Sequence, residues 1–161
     1  MRESVIFFVF IFLSCGYELR GIKRIEGKND LLKLVVINRT SEPELEIIMR
    51  EESIRTFERG GFGIADDAKY SISVYILSYS SVPSSFFSAT RPAYRVSMGV
   101  KAIFEDGVRK KEIRFSQYEE YLKSGLISFD REREEFAKKS IVKFIANEVF
   151  EEFISFLNEG N

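Results

Sequence analysis

The chain of 161 residues has no histidine, no tryptophan and a single cysteine. A lone cysteine cannot close an internal disulfide, and without histidine there is no imidazole to activate a nucleophile. The same absences leave little from which to build a metal site or a catalytic triad. Charge of one sign is also missing, since 24 Lys and Arg stand against 25 Asp and Glu. No global basic field exists to hold nucleic acid, so any anionic ligand would have to meet a local cluster. Long apolar runs are absent too. Val5 to Leu13 gives nine consecutive apolar residues, well short of the roughly 20 that a bilayer-spanning helix requires, yet within the range of an export signal's apolar region.

That short run sits in a particular order. Arg2 precedes it, Ser14 offers a small residue after it, and Cys15 follows where a bacterial lipoprotein signal places its acylated cysteine, with a polar exit beyond. The sequence therefore predicts a cleaved signal over 1–14, a lipid attached at Cys15 and a polar, glycine-punctuated tether over 15–31. The alternative is a buried first strand in which Cys15 is only a small hydrophobe. The remaining 32–158 has the length of one domain with one core, able to bury roughly two-thirds of its unfolded surface.

Within that domain, "LKLVVINRT" compresses Leu32 and Leu34 to Ile37 into a strand, and Asn38 begins its exit. "TSEPELEIIMREESIRTFERGG" then reads as an amphipathic helix. Pro43, Glu42 and Glu44 mark its start, Gly60–Gly61 its stop, and Leu45, Ile48, Met49 and Glu52 one side widened by Ile47, Ile54 and Phe57. "KYSISVYILSYSS" alternates Tyr70, Ile72, Val74 and Ile76 against a semi-polar second face of Ser71, Ser73, Tyr75 and Leu77. A loop with two prolines follows and carries Phe86 and Phe87. Tyr94, Val96, Met98, Val100 and Ala102 resume the alternation, with a phase shift at Ile103–Phe104 that suggests a bulge or a strand end. Asp106–Gly107 signals a hairpin, and Ile113 and Phe115 lie on its returning strand. A long terminal helix, with Asp130 as its expected cap, places Phe136, Ile141, Phe144, Ile145, Val149, Phe153, Phe156 and Leu157 on a wide apolar side. The order β-α-β-β-β-α predicts an α/β two-layer sandwich: a four-stranded sheet, mostly antiparallel or mixed, with both helices on one face and the other face uncovered.

Candidate chemistry is sparse. Asp66–Asp67 and Glu134–Glu135 are adjacent in sequence and not matched on a face, so no catalytic, metal or cofactor site is expected. "GGFG" at Gly60 to Gly63 follows a helix and lacks the Lys-Ser/Thr of a phosphate loop, so it reads as a helix stop and turn. Arg91 and Arg95 flank Pro92, and Arg109, Lys110 and Lys111 open the strand after the hairpin. They are either ordinary solvated charges or contacts for the phosphates of an anionic amphiphile, which arginine can grip through paired hydrogen bonds. Phe86 and Phe87 either fold back into the core or anchor a protein partner.

At "SCGYELRG" Cys15, Gly16, Tyr17, Leu19 and Arg20 resemble the start of the mature chain in the LPS-assembly lipoprotein family, LptE. The likeness continues through Asn38, Pro43, Leu45 and the helical stripe, and more loosely over the tyrosine-bearing strands and the last helix. The resemblance implies a non-enzymatic lipoprotein on the periplasmic face of the outer membrane. It would lodge in the β-barrel LptD to form the lipopolysaccharide translocon, with Arg91, Arg95, Arg109, Lys110 and Lys111 as candidate lipopolysaccharide contacts. Gly16 after the cysteine, rather than aspartate, agrees with export beyond the inner membrane. The alternative is a general envelope lipoprotein that binds another protein or peptidoglycan.

Overall fold

The computed structural model describes residues 30–84 and 92–159. Cys15, Phe86, Phe87 and Arg91 lie outside the described residues. The elements are β1 (Leu31–Asn38), α1 (Glu44–Arg59), β2 (Gly63–Ile64), β3 (Tyr70–Ser84), β4 (Ala93–Glu105), β5 (Lys110–Leu122) and α2 (Ile127–Asn158). They form the expected two-layer sandwich, a mixed sheet with both helices on one face, in the order β2-β1-β3-β4-β5. The β3-β4-β5 meander is antiparallel, while β1 runs parallel to β2 and β3.

The fifth strand departs from the expected four. Gly60 and Gly61 stop α1 as anticipated: a Cβ at Gly60 would run into the Phe150 ring, and Gly61 takes a left-handed φ of 92°. Phe62 is thereby turned into the core, and the chain leaves along β1, with Gly63 N–H donating to the Asp30 carbonyl and Ala65 N–H to that of Leu32. Two residues of strand are too few to leave a period-two trace in the sequence. At the other end of α1, the Asn38 side chain accepts from Thr40 N–H at 2.9 Å and donates to the Glu42 carbonyl at 2.6 Å, fixing the turn that delivers Pro43 to the helix start.

Leu45, Met49, Ser53, Thr56 and Phe57 form the buried stripe of α1, at the spacing of one helix face. Ile47 is 62% exposed, because two residues at about 100° each carry it round from Leu45 to the solvent side. Phe136 and Phe144 depart from the expected apolar side of α2 in the same way, at 73% and 47% exposed. Phe136 lines a groove open to solvent between the two helices, together with Ile48, Glu51 and Arg55 of α1, so it lies on a groove wall and not in the core. Asp130 is not the N-cap. The helix begins at Ile127, and the Asp130 carboxylate reaches back to accept from Ser124 and Gly125 N–H.

The phase shift expected at Ile103–Phe104 is absent. β4 pairs without interruption from Ala93 to Glu105, and Val100, Ala102 and Phe104 all enter the core. Ile103 is simply an apolar residue on the other face. The irregularity lies in β3, where an extra residue, Leu77, interrupts the pairing between Ile76 and Ser78. Before it the even-numbered residues Ile72, Val74 and Ile76 face the helices; after it the odd-numbered Tyr79 does so.

The core is richest around Phe153. Its ring centroid lies 5.7 Å from Phe57, 5.5 Å from Phe62, 6.0 Å from Tyr70 and 5.8 Å from Phe104. Edge-to-face and tilted pairs of this kind add to the roughly 1.5–3 kcal/mol gained by burying each large apolar side chain. The opposite end is leaner. β1 stops at Asn38, opposite Ile76, so beyond it the sheet is three strands wide and only α2 covers it. There the packing is partly polar: Tyr79 and Tyr121 hydroxyls both donate to Glu134, at 3.4 and 3.2 Å. Burial and the neighbouring Glu134 charge push the Tyr79 phenol well above its ordinary value of 10. Lys138, 4% exposed, donates to Glu135 at 2.7 Å.

Candidate partner-binding surface

The helices leave one sheet face uncovered, and strand alternation decides what it shows. Core residues Val74 and Ile76 put Tyr75 outward, Val100 and Ala102 do the same for Lys101, and Tyr94 and Val96 for Arg95. The middle of this face carries small residues: Ser73, Ser80, Ser97, Gly99 and Ser116. Ser80 and Ser97 hydroxyls meet at 2.7 Å, and an added Cβ at Gly99 would stand 2.6 Å from the Ser78 hydroxyl. These serines expose short, hydroxyl-bearing side chains on this face.

Two tyrosines rise from it, each held by cations. Arg39 and Lys101 lie 5.1 and 5.0 Å from the centre of the Tyr75 ring. The Arg95 guanidinium sits 4.7 Å over the Tyr118 ring while its Nε and Nη2 donate to Glu120 Oε1 at 2.9 and 2.7 Å. Ser84 also donates to that oxygen at 3.0 Å, and these bonds, the Arg95 ones first, lower the Glu120 carboxyl below its ordinary value. Cation–π contacts of this kind contribute about 0.5–1 kcal/mol at exposed sites and orient the rings. Sequence reading found the semi-polar second face of β3 but not these cradles. Their signal is cross-strand: Tyr75 opposite Lys101, and Arg95 opposite Glu120 with Tyr118 one face-step away.

The basic residues singled out in the sequence fall into two places. Arg95 opposes Glu120 at one end of the β4–β5 hairpin, and Lys110 opposes Glu105 at the other. Ten residues of strand separate them, roughly 33 Å. The two clusters therefore do not converge on one site. Each described cation also has a carboxylate: Lys110 meets Glu105 at 2.7 Å, Lys111 meets Glu159 at 2.7 Å, and Arg109 meets Asp106 at 2.6 Å. Those partners hold the Lys110 and Lys111 ammonium groups above the ordinary 10.5.

The Arg109 contact belongs to the hairpin turn. Asp106 accepts from Arg109 N–H at 2.7 Å, Arg109 Nε at 2.7 Å and Val108 N–H at 3.0 Å, which lowers its carboxyl from 3.8 to about 2. Gly107, with φ of 86°, supplies the left-handed step between them. Because the folded value is depressed, the turn's stabilisation is complete above the unfolded value of 3.8 and is lost as pH falls through about 2. An NMR titration is expected to place the Asp106 carboxyl midpoint near 2. A midpoint at the ordinary 3.8 would mean that the turn does not hold it.

Among the described residues, no group of three or more Asp, Glu, His or Cys is arranged to hold a metal, and no helix is long and apolar enough to cross a membrane. No protein-family model and no curated protein matches the chain. Solved structures do. The rare lipoprotein B of Shewanella oneidensis superposes with a TM-score of 0.57 at 17% identity, over 80% of this chain and 99% of that one. The chain shares its fold with small bacterial lipoproteins. A minor lipoprotein of Acinetobacter baumannii matches with a TM-score of 0.56 at 10% identity, over 78% of this chain and 91% of that one. A protein of Xanthomonas campestris matches with a TM-score of 0.59 at 12% identity, over 81% and 87% of the two chains. At these identities the likeness is one of fold, and it does not single out the LPS-assembly family.

Proposed function

We propose that this chain is an acylated envelope lipoprotein, attached through Cys15, whose domain is a non-enzymatic module that binds another envelope protein. One observation carries the reading: a sheet covered by helices on one face only, whose free face is hydroxyl-rich and set with two tyrosines beside cations. Tyrosine and arginine are favoured where protein partners dock. The ordered signal, Ser14, Cys15 and polar exit supply the tether, and the lipoprotein fold of the solved structures agrees with it.

The narrower form of this proposal is the lipopolysaccharide translocon. Its partner would be an LptD-like β-barrel on the periplasmic face of the outer membrane, with Phe86 and Phe87 among the contacts. Lipopolysaccharide phosphates would meet Arg91 and Arg95, or Arg109, Lys110 and Lys111, with Arg95, Arg109, Lys110 and Lys111 exchanging their present carboxylates for phosphate. It rests on the resemblance of the Cys15–Arg20 segment and the first strand and helix. A peptidoglycan-bound or other protein partner is the broader form.

Photo-crosslinking amino acids at Tyr75, Tyr118 and Phe86, with Glu51 on the outer side of α1 as control, separate these in cells. The expected result is one protein adduct from Tyr75 and Tyr118 and none from Glu51. A β-barrel in that adduct supports the narrower form, and any other envelope protein the broader one. Adducts from Glu51 alone would overturn the assignment of the sheet face.

A further inference from the structure

β5 is the outermost strand of the sheet, and among the described residues no strand pairs with its free edge over all 13 residues. A long unpaired edge is a template for further pairing unless its side chains forbid it. The charges of β5 forbid most partners and suit one. The strand reads KKEIRFSQYEEYL: Lys110 and Lys111 open it, Glu119 and Glu120 stand just before its last two residues, and Phe115 lies midway between the two pairs. Reversing the strand and laying it on itself about Phe115 sets Lys110 opposite Glu120 and Lys111 opposite Glu119, twice over by symmetry. Faces agree as well, because Lys110 and Glu120 both project from the uncovered side while Lys111 shares a side with Ile113 and Phe115. Shifting the centre one residue to Ser116 would instead oppose Glu112 with Glu120, which like charge disfavours.

From this antisymmetry we infer that the free edge of β5 pairs with β5 of a second copy, antiparallel and centred on Phe115. The interface is isologous, the commonest form of closed symmetric assembly. Glu119 makes no ion pair among the described residues, and it gains Lys111 of the second copy. Lys110, Lys111 and Glu120 already hold exposed partners, but such surface pairs are worth only about 0–1 kcal/mol and can be shared or exchanged. The product is one continuous sheet with both free faces on the same side. It agrees with the broader form of the proposed function, a partner on an open surface, and not with a single copy lodged inside a barrel.

Charge reversal tests the register. The full chain, purified in mild detergent, is expected to sediment as two copies. K110E/K111E places four like-charge pairs across the two-fold, as does E119K/E120K, so each variant alone should dissociate with Kd raised about 100-fold. Mixed together they restore all four opposite pairs, and the mixture is expected to return to two copies. Circular dichroism of each variant identifies a misfolded chain, and recovery on mixing would itself require both to be folded. A wild-type chain sedimenting as one copy overturns the proposal, as do variants that associate equally well alone and mixed.

Discussion

Replacing Phe153 by alanine is expected to destabilise the domain by about 3–5 kcal/mol, the range for an aromatic removed from a sealed core. Phe153 is fully buried where α1, α2, β3, β4 and the segment after α1 converge, against Phe57, Phe62, Tyr70, Phe104 and Phe156. Five neighbouring rings cannot all move in to fill the space, because each is held by its own element and by the others. The cost therefore includes a cavity as well as the lost transfer energy. Against a typical total of 5–15 kcal/mol, this is enough to leave a weakly stable variant largely unfolded. In urea the midpoint should fall by about 2 M, with Phe153→Leu losing far less. A fall below about 0.5 M for Phe153→Ala would show that the ring cluster is not the centre of the core.

Cys15→Ser is expected to abolish fatty-acid labelling of the chain in a bacterial host with an outer membrane. Serine keeps the size and polarity near the cut but removes the thiol on which acylation depends. Intact mass should show the apolar Val5–Leu13 run retained in the substituted chain, whereas the wild-type chain is expected to lose it and to carry lipid. Each buried methylene of an acyl chain contributes about 0.8 kcal/mol to membrane binding, so loss of lipid is a large change in partition. Labelling and mass unchanged by the substitution would exclude Cys15 as the attachment point. Because the substitution leaves residues 32–158 untouched, the urea midpoint of the domain should stay at its wild-type value.

Much of this fold was legible because its signals are local. Pro43 and the Gly60–Gly61 pair bound α1 within a residue, Asp106–Gly107 marks the hairpin, and alternation at Ile72, Val74 and Ile76 identifies the core face of β3. What escaped depends on neighbours distant in sequence. β2 exists only because β1 offers it a free edge, and Phe136 is exposed because it lines the open groove between α1 and α2. The apolar Ile103 mimics a break in phase, while the true extra residue, Leu77, lies in a run of tyrosine and serine whose faces are too alike to reveal it. The site divides in the same way. The semi-polar face was readable from β3 alone, but the Tyr75 and Tyr118 cradles need the β3–β4–β5 register, and so does the separation of Arg95 from Lys110.

The extra residue at Leu77 also sets how the molecule yields. On one side of it the sheet is sealed by two helices over a dry aromatic core; on the other, three strands rest on α2 through the Tyr79–Glu134–Tyr121 bonds and a paired lysine. Local opening starts where apolar burial is thin and polar bonds can be exchanged for water. Amide exchange should thus run along the strands as a gradient, fastest at the ends of β3 and β4 beyond Leu77 and slowest around Phe153. One strand then serves both as the rigid floor of the domain and as its pliable rim.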